Sequence, residues 1–99
     1  MTLAGRFTIG PDHPCLPGHF PGRPVVPGVV LLDEVLAAIL AVRPGYRAAG
    51  LPSVKFTRPV LPGQEVEISC NAGPDRVAFV CVADGAEVAR GAVVLEAVR

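Results

Sequence analysis

GVVLLDEVLAAILAVR, residues 28–43, is the stretch of the sequence that predicts a central helix. Leucine, alanine and valine dominate it, Pro27 stands at its start, and Pro44-Gly45 follows its last residue, as expected for helix boundaries. At 100° per residue, its apolar side chains are spread over nearly the whole circumference. We therefore expect other parts of the protein to cover most of the helix surface.

Predicted strands surround this helix in the chain. They are rich in valine, phenylalanine, isoleucine and cysteine, and they are Leu3–Ile9, Ser53–Val60, Glu65–Ala72, Arg76–Ala83 and Glu87–Val98. Apolar and polar residues alternate most clearly in the third of them, which is typical of an antiparallel strand with one wet face. Asp84-Gly85 predicts a hairpin between the last two.

These elements predict an α+β fold in which a curved antiparallel sheet is wrapped around one central helix. A single sheet covers only one side of a helix. Loops or a second copy of the chain must cover the other side. At 99 residues, read as a single domain spanning 1–99, the chain buries a modest fraction of its surface, so a partner subunit is also expected on size alone.

The composition excludes several function classes. Nine basic and nine acidic residues give zero net charge, which argues against a nucleic-acid partner. The apolar stretch 25–42 is interrupted by Pro27, Asp33 and Glu34, so no membrane span is expected. The first twelve residues lack the pattern of an export signal, and a cytoplasmic location is the expectation.

Cys15, Cys70 and Cys81 are odd in number and widely spaced, without the paired spacing of metal ligands. We expect them to be small core residues, and we expect neither a metal site nor a cofactor.

The segment before the helix is unusually rigid for a loop. Six prolines lie between residues 11 and 27, and each of them fixes φ and removes a backbone donor. An ordered, irregular loop of this kind can hold a side chain in a fixed position, and His19 lies in its middle.

Two motifs in this region carry a family resemblance. Gly18-His19-Phe20-Pro21-Gly22-Arg23-Pro24, followed by Pro27-Gly28-Val29 and the acid Asp33, resembles the signature of the β-hydroxyacyl-[acyl-carrier-protein] dehydratases of FabA/FabZ type. Val54-Lys55-Phe56-Thr57-Arg58-Pro59-Val60-Leu61-Pro62-Gly63 resembles the strand and turn after the helix in the same family.

This resemblance implies the hotdog fold and an edge-to-edge homodimer. It also implies two active sites at the dimer interface, each taking the histidine from one chain and the helix acid from the other. The implied reaction is dehydration of 3-hydroxyacyl thioesters on acyl carrier protein to trans-2-enoyl thioesters, in fatty-acid or polyketide- or aryl-polyene-like synthesis.

The chemistry of this reaction needs a base, an acid and a group that stabilises negative charge on the thioester oxygen. His19 suits the base because imidazole titrates near neutral pH. Asp33 suits the acid, since a carboxyl group on a buried helix is desolvated, which favours its proton-donating form. The N–H of Gly28 at the helix start suits the third role, as the resemblance also implies.

Each assignment has a structural alternative. His19 could tie the loop together through hydrogen bonds, Asp33 could lie on a wet helix face, and Gly28 could be a turn residue. Asp33 is the residue type of the family's isomerising branch, whereas most other members carry glutamate there. Glu34 points about 100° away around the helix and is the less favoured candidate for the acid.

Residues expected at the substrate site are Phe20, Gly22, Pro27, Ala37, Arg23 and Arg58. The cations that could meet an acidic carrier protein are Arg23, Arg43, Arg47, Lys55 and Arg58. Each of these, taken alone, could equally be an ordinary surface residue.

Two other functions compete with the dehydratase. One is a hotdog acyl thioesterase, although the Gly-His-Phe-Pro-Gly loop is not its usual mark. The other is a non-catalytic or heterodimeric hotdog subunit that binds acyl carrier protein.

Overall fold

This computed structural model describes residues 1–10 and 25–98. They contain one helix and five antiparallel strands. The elements in chain order are β1 (Thr2–Thr8), α1 (Gly28–Val42), β2 (Tyr46–Phe56), β3 (Glu65–Cys70), β4 (Arg76–Ala83) and β5 (Ala86–Ala97). Across the sheet the order is β1-β3-β4-β5-β2, which puts β1 and β2 at the edges. The α+β architecture predicted from the sequence is confirmed.

Helix α1 presents one apolar stripe to the sheet. Leu31, Val35 and Ile39, spaced four residues apart, are buried, and the helix ends within one residue of the predicted boundary. On the far side Val29 is 66% exposed. Leu32 and Leu36, which flank the buried stripe, are half-buried against the core. The sheet therefore covers one side of the helix, as expected, and the described residues of this protomer leave the opposite side, around Val29, uncovered.

The inner face of the sheet supplies the other half of the core. Residues alternate between buried and half-buried along β3 and β4, with Val66, Ile68, Val77 and Phe79 almost completely inaccessible. This confirms the predicted alternation, in which every second side chain of a strand points to the core.

Two of the three cysteines belong to this core. Cys70 and Cys81 are buried and free, as predicted for small core residues. Cys15 lies outside the described residues. Burial raises the pKa of the Cys81 thiol from 9.0 to about 11, because desolvation disfavours the thiolate.

Strand β2 departs most from the prediction. It begins at Tyr46 and ends at Phe56, whereas the sequence pattern placed the strand at Ser53–Val60. Its first half contains Gly50 and Pro52, which are poor strand formers, so sequence patterns do not reveal it. Pairing with the long strand β5 holds this half extended, with register shifts between Ala48 and Ser53. Proline is tolerated in β2 because this strand is a sheet edge.

The predicted hairpin between β4 and β5 is confirmed. Asp84 and Gly85 both have positive φ, 51° and 76°, as a tight hairpin turn requires. Nowhere in ranges 1–10 and 25–98 is a helix both long enough and apolar enough to cross a membrane.

Candidate functional site

A cleft of about 370 Å³ lies where the chain enters α1. One wall is the segment before and at the helix start, including Val25, Pro27 and Gly28. The other is the end of β2 with the segment after it, from Phe56 to Val60. Most of its surface is apolar, and Arg58 is its cationic residue. The cleft thus brings together two stretches, around Pro27-Gly28 and around Phe56, that the sequence motifs singled out separately.

Hydrogen bonds hold both walls in place. The Val26 N–H donates to the carbonyl oxygen of Val60 at 2.8 Å, which ties one wall to the other. The N–H groups of Thr57 and Arg58 both donate to the carbonyl oxygen of Val88, at 2.9 and 3.3 Å. These bonds fix the backbone on both sides of the cleft.

The ring of Phe56 closes one side of the cleft against Gly28. An ideal Cβ built on Gly28 would lie 2.7 Å from Cζ of Phe56 and 3.0 Å from Cε2. Glycine is therefore required for this close approach. The Phe56 residue is 49% exposed, so the outer edge of its ring is free to contact a substrate.

Helix α1 directs its positive end into the cleft. Pro27 precedes the first helical residue, and its carbonyl oxygen accepts from the N–H groups of Val30 and Leu31 at 3.0 and 3.2 Å. The N–H groups at the start of a helix have no partner within the helix, and the aligned peptide dipoles add positive potential there. Because Gly28 lines the cleft, this end of the cleft favours negative charge.

Asp33 is exposed in the described residues of this protomer, so the burial expected for the helix acid does not come from them. It lies one turn after Val29 and one turn before Ala37, and all three are exposed on the side of α1 away from the sheet. Glu34, next to it, is half-buried. The reason is geometric, because the single sheet layer of this protomer reaches only the Leu31, Val35 and Ile39 side.

The alanines of the helix lie in two different environments. Ala38 packs against β1, where its Cβ would lie 3.2 Å from a Cβ built on Gly5. Ala37 and Ala41 are exposed instead. Of these two, Ala37 is the one that lies a single helical turn from Asp33.

Part of the predicted site lies outside the described residues. This applies to His19, Phe20, Gly22 and Arg23. Their predicted roles therefore remain predictions.

Arg43, one of the cations predicted to be available to a carrier protein, is engaged by contacts within the chain. Its guanidinium donates to the carbonyl oxygens of Gly73 and Pro74, both at 2.6 Å, and stacks on the Tyr46 ring at 4.6 Å. These contacts fasten the end of α1 to the turn between β3 and β4, so Arg43 acts as a structural tie and not as a free surface cation. Arg47 is likewise paired, with Glu96.

Phe56 is the site residue that sequence reasoning missed. The motif Val54–Gly63 was noted for its family resemblance, but nothing in it shows that Phe56 meets the helix start. That contact arises from the return of β2 to the beginning of α1, a long-range pairing that local patterns do not report.

Comparison with known proteins first identifies the fold class. The dehydratase heterocomplex ApeI:P from Xenorhabdus doucetiae contains a chain that superimposes with a TM-score of 0.81 at 26% sequence identity, over 91% of this chain and 82% of that one. A thioesterase from Thermus thermophilus, solved with coenzyme A and Zn, shares the fold with a TM-score of 0.72 at 19% identity, over 98% of this chain and 79% of that one. The fold is the hotdog fold.

Sequence comparison then identifies the family. The family model described as ApeI-like, ApeI dehydratase, matches residues 1–92. The 3-hydroxyacyl-[acyl-carrier-protein] dehydratase FabZ of Haemophilus influenzae (strain PittEE) is 35% identical over 77 residues, which is 69% of this chain and 52% of the relative. FabZ of Thermomicrobium roseum is 38% identical over 80 residues, 73% of this chain and 54% of the relative. The chain spans about half the length of these relatives. It belongs to the ApeI-like dehydratase family.

Proposed function

We propose that this chain dehydrates 3-hydroxyacyl thioesters on acyl carrier protein to trans-2-enoyl thioesters. The observation that carries the proposal is the match of residues 1–92 to the ApeI-like dehydratase family. The cleft at the start of α1 supports it, because an apolar site that ends at a helix N-terminus suits an acyl thioester whose carbonyl oxygen gains negative charge.

The proposed mechanism gives each of three groups one task. His19 takes a proton from carbon 2 of the acyl chain, and the electron pair of that C–H bond forms the double bond to carbon 3. Asp33 donates its proton to the hydroxyl group on carbon 3, and the C–O bond breaks to release water. The Gly28 N–H stabilises the negative charge that develops on the thioester oxygen.

The substrate would be held by groups around these three. Pro27 and Arg58 line the cleft, and Ala37 lies one helical turn beyond Asp33. Phe20, Gly22 and Arg23 complete the proposed set through their positions beside His19 in the motif. No cofactor is needed, since proton transfers alone balance the reaction.

A second copy of the chain completes the proposed site. Asp33 lies on an uncovered helix face, so a histidine from a facing protomer can approach it there. Strand β2 is a sheet edge with exposed Tyr46 and Leu51, which suits edge-to-edge pairing with β2 of the other copy. We therefore propose a homodimer with two shared sites.

The pathway is proposed only as fatty-acid or polyketide- or aryl-polyene-like synthesis, and the cytoplasmic location stays a prediction.

A heterodimer is the second candidate for the assembly. The observation that favours it is the structural similarity to a chain of the ApeI:P dehydratase heterocomplex. In that case a different hotdog subunit would occupy the place of the second copy.

A mass-spectrometric assay with 3-hydroxyacyl carrier protein tests the proposal. The purified protein should remove water, or add it to the enoyl form when the reaction is run in reverse, and His19→Ala should abolish both. Release of the free acid would identify a thioesterase instead. A folded protein that is inactive alone and active after addition of a second hotdog subunit would replace the homodimer with the heterodimer.

A further inference from the structure

The ring of Phe56 is the largest apolar group among the described residues that line the cleft at the start of α1. It leaves β2 on the helix side of the sheet, because Val54, two residues earlier on the same strand, packs against the core from that side. Phe56 is 49% exposed, so one edge of its ring faces the open space of the cleft. A substrate in the cleft therefore meets this ring.

The ring cannot move closer to the helix to make room for a substrate. Its tip faces Gly28, and its Cζ, Cε2 and Cε1 atoms lie 2.7, 3.0 and 3.2 Å from an ideal Cβ built on that residue. The ring therefore packs directly on the backbone of the first helical residue, and no further carbon atom fits between the two. A group that presses the ring toward the helix meets a closed contact.

Hydrogen bonds to β5 fix the backbone that carries the ring. Phe56 pairs with Ala89 across β2 and β5. The N–H of Thr57, the next residue, donates to the carbonyl oxygen of Val88 at 2.9 Å, and the Thr57 hydroxyl donates to the carbonyl oxygen of Glu87 at 3.0 Å. The end of β2 therefore cannot shift away from the cleft without breaking bonds to β5.

The buried residues that line the cleft offer no extra space either. Val26, Leu31 and Val60 contribute to its lining, and all three are buried because their side chains belong to the core. Densely packed core side chains accommodate an extra methyl group only at a cost in free energy. The width of the cleft beside Gly28 is therefore set by the Phe56 ring.

We propose that Phe56 is a specificity-determining residue that excludes acyl groups with a branch at carbon 2. The proposal rests on the function proposed above, in which the Gly28 N–H stabilises the thioester oxygen. Carbon 2 is bonded to the carbonyl carbon, so this arrangement places it beside Gly28 and beside the ring that packs on Gly28. The reaction removes one hydrogen from carbon 2. The hydrogen that stays fits next to the ring, whereas a methyl group in its place collides with it.

Paired substrates with and without the branch test this assignment. They are 3-hydroxyhexanoyl pantetheine and each stereoisomer of 2-methyl-3-hydroxyhexanoyl pantetheine, and the measured quantity is the ratio of kcat/KM, unbranched over branched. A methyl group also makes the remaining C–H bond on carbon 2 less acidic, so the decisive result is the change in this ratio between variants. Phe56→Ala should lower the ratio by about tenfold or more, as expected when a pocket no longer rejects one methyl group. Phe56→Leu should lower it by less.

Leu61→Ala is the matched control. Leu61 lies in the segment after β2, is 48% exposed, much as Phe56 is, and is not among the described residues that line the cleft. Its truncation removes a comparable exposed apolar side chain, so the ratio should stay at the wild-type value. An equal fall in the ratio for Leu61→Ala, or an unchanged ratio for Phe56→Ala, would overturn the assignment.

Binding of unreactive analogues separates this proposal from the proposed function. Hexanoyl and 2-methylhexanoyl pantetheine lack the 3-hydroxyl group and cannot lose water, so calorimetric titration measures their binding alone. The wild type should bind the unbranched analogue about tenfold more tightly or more, and Phe56→Ala should bind both equally. If the wild type shows this preference yet dehydrates neither 3-hydroxyacyl substrate, the dehydratase proposal fails and the specificity assignment holds. If Phe56→Ala keeps the preference, or the wild type has none, the assignment is wrong whatever the activity.

Discussion

The Phe56 ring lies so close to Gly28 that a Cβ on Gly28 would come within 2.7 Å of its Cζ atom. This contact joins the start of the helix to the end of β2 and forms one side of the cleft. The ring is half exposed and lines the cleft, so it can shift away from Gly28 into the cleft.

The Gly28→Ala substitution should therefore impair activity more than stability. We expect the methyl group to displace the Phe56 ring into the cleft and to lower kcat/KM by about tenfold or more, or ~1.4 kcal/mol. The free energy of unfolding should fall by less than about 1 kcal/mol, since a half-exposed ring can adapt. Steady-state kinetics and urea unfolding measure the two effects.

Gly10→Ala is the control for this substitution. Nothing lies within 4 Å of a Cβ built on Gly10, so neither activity nor stability should change. Wild-type kcat/KM in the Gly28→Ala variant would contradict the placement of the substrate against Gly28.

Mixing two inactive variants tests whether the site is shared between chains. His19→Ala and Asp33→Asn should each be inactive as homodimers. In a mixed dimer, one of the two sites regains both wild-type residues, so random mixing should recover roughly a quarter of wild-type activity. The assay is run after exchange of subunits has been verified by native mass spectrometry.

Glu34→Gln is the matched control for the acid. Glu34 is the neighbouring, half-buried carboxylate, and its substitution should preserve turnover. If Glu34→Gln is inactive and Asp33→Asn is active, the acid has been assigned to the wrong residue. Mixed dimers that stay inactive would argue for a site within one chain.

Arg43 should contribute to stability. Arg43→Ala removes two hydrogen bonds from a guanidinium to backbone carbonyls and the contact with Tyr46, and we expect it to lower the free energy of unfolding by about 2–3 kcal/mol. Arg47→Ala, which breaks an exposed ion pair with Glu96, should cost less than about 1 kcal/mol. Equal urea midpoints for the two variants would mean that the Arg43 contacts add nothing to stability.

Cys81 should make the protein less stable at high pH. Burial raises the pKa of its thiol to about 11 in the folded state, so the unfolded chain loses this proton first as the pH rises. Stability contributed by the protonated thiol is therefore present below pH 9 and is lost between about pH 9 and 11. Urea unfolding of wild type and Cys81→Ala at pH 7 and pH 10 should show a larger decrease for the wild type. An identical decrease in stability for the two proteins would show that Cys81 is not its cause.

The edge of β2 should control assembly. Leu51 is 41% exposed on this strand, and Leu51→Glu should weaken the proposed dimer by placing a desolvated charge at the joined edges. Leu61→Glu provides the control, since Leu61 is 48% exposed but lies in the loop after β2. Sedimentation velocity should show monomers for the first variant and dimers for the second. Dimers in both would exclude β2 as the interface.

The sequence predicted the helix, β3, β4 and the hairpin closely because their signals are local. Apolar periodicity, strand alternation and the Asp84-Gly85 pair each report on a few neighbouring residues. It missed the first half of β2, where pairing with β5 overrides the effects of Gly50 and Pro52. It also predicted that Asp33 is desolvated on a covered helix, whereas the described residues of one protomer leave Asp33 exposed.

The candidate site was predicted in part. The motif identified Pro27, Gly28 and Arg58, which the cleft brings together. Phe56 was missed because its contact with Gly28 depends on where β2 ends relative to the helix start, which no local pattern specifies. His19 has a predicted role that activity measurements must test.

The irregular pairing in β2 gives this strand a particular tolerance to insertion and deletion. Lys55 and Phe56 face opposite sides of the sheet. Inserting or deleting one residue next to them would therefore turn Phe56 away from the cleft and put Lys55 on the cleft side. The register shifts between Ala48 and Ser53 lie upstream, where the strand already accommodates unpaired residues. An insertion or deletion of one residue between Ala48 and Ser53 can therefore be accommodated before the chain reaches Lys55. Related chains can gain or lose a residue there while Phe56 still lines the cleft.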